Sequence, residues 1–292
     1  MCSQCGVYKP TNVLSISYGA WGYPDNYVKR QCSELMKLGL QGVTIVVSSG
    51  DSGVGEDKYC AAGPDGLIFY STMMSECPYV LSVGSTQLDR PAGAPNPPPP
   101  FEVLNEVATK RFPSGGGFSN VFGVPSWQKP AITAYFDQVD LPFSSYHHFV
   151  VDNNFSSVKG GRFHHGGRAY PDIGAIGDRQ VVHAGGLWYR VGGTSLSAPV
   201  VASMVTLVNE ARLAAGKGPV GYFTPTLVSI LPIETVSTFI RFSNIKSYST
   251  PTLRCSQMSQ SVVTLAVTLL ALLLPRAGIQ LQDGGKSLSS KA

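Results

Sequence analysis

Apolar and polar positions along this chain fall into two rhythms. Val13–Tyr18 alternates apolar with small polar residues and predicts a strand. Tyr27–Leu38 places Val28, Cys32, Leu35 and Met36 on one face at helical spacing, which predicts an amphipathic helix ended by Gly39-Leu40-Gln41-Gly42. Val43-Thr44-Ile45-Val46-Val47 is almost unbroken apolar sequence, as in a parallel strand covered on both faces. Strand, helix and strand at this spacing imply a right-handed crossover, so the fold class expected is α/β with a mostly parallel sheet flanked by helices. Further along, Tyr79–Val83 predicts a strand, Trp127–Phe136 a short helix, and Val181–Val191 a hairpin that turns at Ala184-Gly185-Gly186.

Other stretches resist regular structure. Pro91–Pro100 holds six prolines in ten positions and reads as an exposed loop of polyproline character. Phe112–Ser119 is glycine-rich and either lines a cleft or forms a flexible turn. Past Val228 the character changes, which divides the chain into 1–228 and a divergent tail, 229–292. Within that tail Ser261–Leu274 is an apolar run of fourteen residues, short of the roughly 20 that a membrane span needs.

Composition narrows the function classes. The 292 residues carry a net charge of +4 with no Lys/Arg-rich block, which disfavours nucleic-acid binding. Six cysteines lack metal-site spacing; with the sequon Asn154-Phe155-Ser156 they fit a secreted or lysosomal protein. Disulfides Cys5–Cys32 and Cys60–Cys77 are the expected pairings, buried free thiols the alternative. Met1-Cys2-Ser3-Gln4 is no signal peptide, so the expectation is a chain that lacks its true beginning.

Two segments carry chemistry. Gly193-Thr194-Ser195, followed by Pro199 and an apolar run, puts a serine hydroxyl where a glycine turn enters a helix. Small residues at 192 and 193 admit a substrate backbone, and the helix start aims N–H groups and positive dipole at a developing anion. Ser195 is thus a candidate nucleophile or, alternatively, only a helix cap. Ser48-Ser49-Gly50-Asp51-Ser52-Gly53 puts a carboxyl just past the end of a predicted parallel strand, where open α/β sheets collect active-site groups. Asp51 is then a site residue or a turn cap.

Four segments together, Ser48–Gly53, Ser114-Gly115-Gly116-Gly117-Phe118-Ser119, Gly167-Arg168-Ala169-Tyr170-Pro171-Asp172 and Gly193–Pro199, resemble the sedolisin (serine-carboxyl) peptidases, most of all their tripeptidyl-peptidase group. The resemblance covers roughly Cys5 to Val228. It implies a subtilisin-like fold, here incomplete, and hydrolysis of polypeptide substrates at acidic pH by a monomer. Ser195 would be the nucleophile and Asp51 the oxyanion aspartate, with Ser114, Gly115, Gly116 and Gly193 against substrate. A protonated Asp51 donates to a tetrahedral oxyanion, whereas an ionised one repels it. None of the five histidines, His147, His148, His164, His165 and His183, has the His-Gly-Thr setting of a subtilisin base, and the paired ones read as solvated. Thr194-Ser195-Leu196-Ser197 does not supply the Gly-x-Ser-x-Gly of an esterase.

The chain departs from that family twice. Family members carry a base Glu and a partner Asp on a helix upstream of the first strand, yet the twelve residues before Val13 contain neither. The family also binds calcium near its carboxyl end, whereas past Val228 only Glu234 and Asp283 are acidic, so neither a metal ligand set nor the calcium segment is found. The expectation is an inactive peptidase, or a peptide-binding or inhibitory remnant of the same fold.

Overall fold

Residues 8–55, 68–89, 105–139, 141, 143–152 and 154–230 are described by the computed structural model of the chain. In chain order they form β1 (Val13–Ile16), α1 (Asp25–Leu40), β2 (Thr44–Ser48), β3 (Leu81–Asp89), β4 (Asn105–Ala108), β5 (Gly117–Gly123) and α2 (Lys129–Gln138). The short strands β6 (Ser145–Tyr146), β7 (Phe163–His164), β8 (Gly167–Tyr170) and β9 (Ile173–Ile176) follow. The hairpin β10 (Gln180–Ala184) and β11 (Leu187–Val191) then leads into α3 (Thr194–Ala214) and α4 (Thr224–Ile230).

The main sheet joins β1, β2, β3 and β9 by parallel pairings, and β4 pairs antiparallel with the far end of β3. Because side chains alternate along a strand, β2 serves two cores. Val46 packs with Leu81, Val83 and Ile173 against Ala198, Val201 and Val205 of α3. Ile45 and Val47 pack against Cys32 and Leu35 of α1. Each such buried aliphatic side chain contributes roughly 1.5–3 kcal/mol, and the doubly covered strand explains the unbroken apolar run.

The α/β class stands, and so do the hairpin and its turn, where Gly185 and Gly186 take φ of 58° and 80°. The helix expected over Tyr27–Leu38 begins at Asp25 and ends at Leu40, so Gly39 lies inside it. The strand expected to end at Val83 continues to Asp89. Its extension is polar in sequence, yet Ser85, Thr86 and Gln87 are buried between neighbouring strands. The Ser85 amide donates to Ser114 Oγ there and Thr86 Oγ1 donates to Glu106.

The disulfide expectation needs correction. Cys32 on α1 bonds to Cys77 in the turn before β3, 45 residues away and with 5.5 Å between Cα atoms. One sulfur makes one such bond, so neither Cys5–Cys32 nor Cys60–Cys77 forms. Closing a loop of that length stabilises by about 4 kcal/mol on the chain-entropy account. Cys2, Cys5, Cys60, Cys255, Pro91–Pro100, Glu234, Ser261–Leu274 and Asp283 lie outside the described residues.

Candidate active site

The loop after β2 begins under cover, with Ser48 and Ser49 buried and the Ser49 amide donating to the Val83 carbonyl at 2.9 Å. Gly50 then turns the chain outward with φ of 105°, a conformation costly to any residue with a Cβ. Asp51 emerges exposed on the far side of this turn.

Across from it stands the start of α3. Gly193 supplies no side-chain cap, and its amide donates to the Gly177 carbonyl at 2.8 Å. Asp51 takes over the cap from a distant part of the chain. Its Oδ1 accepts from the Thr194 amide at 2.7 Å and from Thr194 Oγ1 at 2.9 Å, while Thr194 Oγ1 accepts from the Gly50 amide at 3.0 Å. Oδ2 lies over Gly193, where a Cβ would come within 2.9 Å of it. Ser195, next along the helix, is exposed. Its carbonyl accepts from Ser17 Oγ at 2.9 Å, which brings the end of β1 to the same spot. The Ser195 amide lies in the first helical turn, where no intrahelical carbonyl is available to it.

The glycine-rich loop is interior. Gly115 and Gly116 donate their amides to the carbonyls of Gly50 and Gly53 at 2.6 and 3.3 Å, and a Cβ on Gly115 would sit 2.1 Å from the Ser49 oxygen. Ser114 is buried and accepts from the Ser85 amide. The loop therefore buttresses the Asp51 turn from behind, and the flexible-turn alternative fails on burial.

Three features of the site were not read from sequence. Thr194 is the bridge between Asp51 and the helix; its hydroxyl next to Ser195 was the available signal. A cleft of about 360 Å³ is lined by residues 18–23, among them Tyr18, Trp21 and Tyr23. The run of aromatics beside the alternating strand was its trace. Thirdly, Arg111 pairs with Asp178 at 2.7 Å and closes the base of the β10–β11 hairpin, where Gly192 leaves no room for a side chain against either.

The Gly167–Asp172 segment is built into the core. Arg168, fully buried, pairs with Asp172 at 2.7 Å, and Asp172 also accepts from the Ser82 amide at 2.8 Å. The Tyr170 hydroxyl accepts from the Thr72 amide at 2.9 Å, and burial pushes this phenol up to about 12.

Among the described residues nothing hydrogen-bonds to the Ser195 hydroxyl, and no histidine reaches it. His147 and His165 lie ring to ring, and the ring of His183 lies tilted against that of Trp188, 4.7 Å between centroids. The solvated reading fails for His164, which is buried on β7 with its Nδ1 3.3 Å from the Ser119 carbonyl. Among the described residues no three His, Cys, Asp or Glu side chains gather as metal ligands. No described helix is long and apolar enough to cross a membrane.

The profile of the Subtilase family matches residues 8–232. Tripeptidyl-peptidase sed1 of Aspergillus fumigatus is 46% identical over 231 residues, covering 77% of this chain and 34% of that protein. Aorsin of Aspergillus oryzae is 39% identical over 77% of this chain, and human tripeptidyl-peptidase 1 is 35% identical over 74% of it. The chain thus spans about a third of the length of these curated relatives, 34% in each case. In fold it is similar to Pseudomonas sedolisin, a serine-carboxyl proteinase solved with two molecules of pseudo-iodotyrostatin. That overlap has a TM-score of 0.52 at 18% identity and covers 92% of this chain and 66% of that one.

Proposed function

The chain belongs to the subtilase family, on its sedolisin-like, tripeptidyl-peptidase side, and from that premise we propose that it carries the nucleophile and oxyanion half of an acid-acting serine peptidase site. Ser195 Oγ attacks the carbonyl carbon of a polypeptide substrate. The oxyanion then accepts from a protonated Asp51 and from the Ser195 amide, both at the positive end of α3. One observation carries this reading: Asp51 caps the helix that bears Ser195, through the adjacent Thr194.

Substrate lies along the aromatic cleft of residues 18–23, which Ser17 joins to Ser195. Gly193 lets its backbone approach. Ser114, Gly115 and Gly116 act one step removed from substrate, by holding the Asp51 loop.

Attack requires that the Ser195 proton leave to a base, and no described residue accepts it. Absence of a general base typically costs roughly a hundred- to ten-thousandfold in rate. With the described residues alone, the site holds peptide but turns it over poorly at best. The Cys32–Cys77 disulfide and the exposed sequon at Asn154 support a secreted or lysosomal setting.

Peptide aldehydes, fluorophosphonates and fluorogenic peptides, tested on the chain and on Ser195→Ala from about pH 4 to about pH 7, examine the proposal. The expected outcome is peptide binding with little phosphonate labelling. Rapid labelling at Ser195 would mean that a base acts there after all; failure to bind any peptide or aldehyde would remove the site itself.

A further inference from the structure

Glu76 is a buried carboxyl with no cation of its own among the described residues. It sits in the turn before β3 with 2% of its surface exposed, and its Oε2 accepts from Ser71 Oγ at 2.5 Å and from Ser119 Oγ of β5 at 2.6 Å. No ion pair to Glu76 forms among the described residues. The charged groups facing it are Asp25 from α1, of like sign, and Arg168 from β8, whose guanidinium is engaged by Asp172 and the Ala169 carbonyl. The phenols of Tyr146 and Tyr170 also face it, and His164 lies behind Ser119.

The turn that carries Glu76 holds up the Asp51 loop. Ser75 Oγ donates to the Ser48 carbonyl at 2.8 Å and Thr72 Oγ1 to the Ser49 carbonyl at 3.3 Å. Whatever loosens residues 71–76 takes two props from beneath residues 48–51.

We propose that Glu76 is a proton-operated latch: while neutral, its buried carboxyl lets the turn of residues 71–77 stay packed on β5 beneath the Asp51 loop, and on ionisation the cost of burying its charge, which the Ser71 and Ser119 hydroxyls offset only in part, releases both. This goes beyond the peptidase reading and holds whether or not Ser195 turns over substrate. Burial pushes the carboxyl from its ordinary 4.5 up to about 7; the hydroxyls of Ser119 and Ser71 offset this only in part, Asp25 adds to it and Arg168 subtracts. The sign follows by linkage. Between those two values the unfolded chain has lost the proton that the folded chain retains, so the contribution of Glu76 to stability falls as pH rises from about 4.5 through about 7.

Glu76→Gln keeps the shape and the acceptor oxygen but cannot ionise. Because His164 and His165 titrate in both proteins, the quantity to follow is the difference in unfolding stability between wild type and Glu76→Gln from about pH 4 to about pH 8. The ratio of their unfolding constants is expected to shift in favour of Gln on the order of a hundredfold across the range. Amide exchange at residues 48–51 of wild type, corrected for intrinsic rates, is expected to accelerate over the same interval while exchange in α3 does not. A pH-independent difference overturns the proposal. So does a shift without faster exchange at 48–51, which leaves a buried acid uncoupled from the loop. Should the Gln variant not fold, carbon NMR of labelled glutamate in the intact chain reads the Glu76 midpoint directly: near neutrality upholds the latch, near 4.5, the ordinary value, refutes it.

Discussion

Asp51 Oδ1 receives both donors of a single residue, the Thr194 amide at 2.7 Å and the Thr194 hydroxyl at 2.9 Å. This arrangement makes the loop after β2 and the start of α3 one unit. It also gives an acceptor oxygen to the start of a helix whose own N-cap residue has no side chain.

Loss of that cap is measurable. Asp51→Ala is expected to lower stability by about 1–2 kcal/mol, as for other lost N-caps, and Thr194→Val by a similar amount. Combining the two should cost less than the sum, since they remove the same bonds. Thermal melts of the three variants decide it; strict additivity would show that the contact does not stabilise the fold.

Gly115 cannot take a side chain. A Cβ there would lie 2.1 Å from the Ser49 carbonyl oxygen, which is backbone and cannot swing aside. Gly115→Ala is therefore expected to cost about 3 kcal/mol or to prevent folding. Gly218→Ala, at a position with no atom within 4 Å of the new Cβ, should change stability by less than about 0.5 kcal/mol. Denaturant midpoints of the pair test this, and equal effects would contradict the close approach.

Burial holds His164 below the ordinary histidine value of 6.5. In acid the unfolded chain takes up a proton that folded His164 refuses, so this residue's contribution to stability falls as pH drops below about 6.5. His164→Gln is expected to flatten the acid side of the melting profile, and profiles that stay parallel would argue against it. Its slope opposes that of Glu76, whose contribution falls as pH rises.

Legibility in the sequence followed the range of the interactions. The Val43–Val47 run announced β2 because both faces of one strand are apolar, and the Gly185-Gly186 turn announced the hairpin because its geometry is local. Asp51 and Ser195 were found as separate candidates from strand-end and helix-start signals. Thr194, which joins them, offered only a hydroxyl beside Ser195, because its partner lies 143 residues away. The second half of β3 was missed for a related reason: Ser85, Thr86 and Gln87 look like surface residues until neighbouring strands surround them. The pairing of Cys32 with Cys77 likewise required knowing that α1 packs on the turn before β3.

Ser195 stands on the first turn of a 21-residue helix whose Val201, Val205 and Val208 are wedged into the protein interior. Pro199, inside the helix, has no N–H for the Ser195 carbonyl, and Ser17 Oγ bonds that carbonyl instead, so the first turn is pinned to the end of β1. Adjustment of the reactive centre must come from the opposite bank, where a short glycine-bounded loop carries Asp51. Damage to the packing three turns down the helix would tilt its tip, and so register at Ser195 without touching any residue around it.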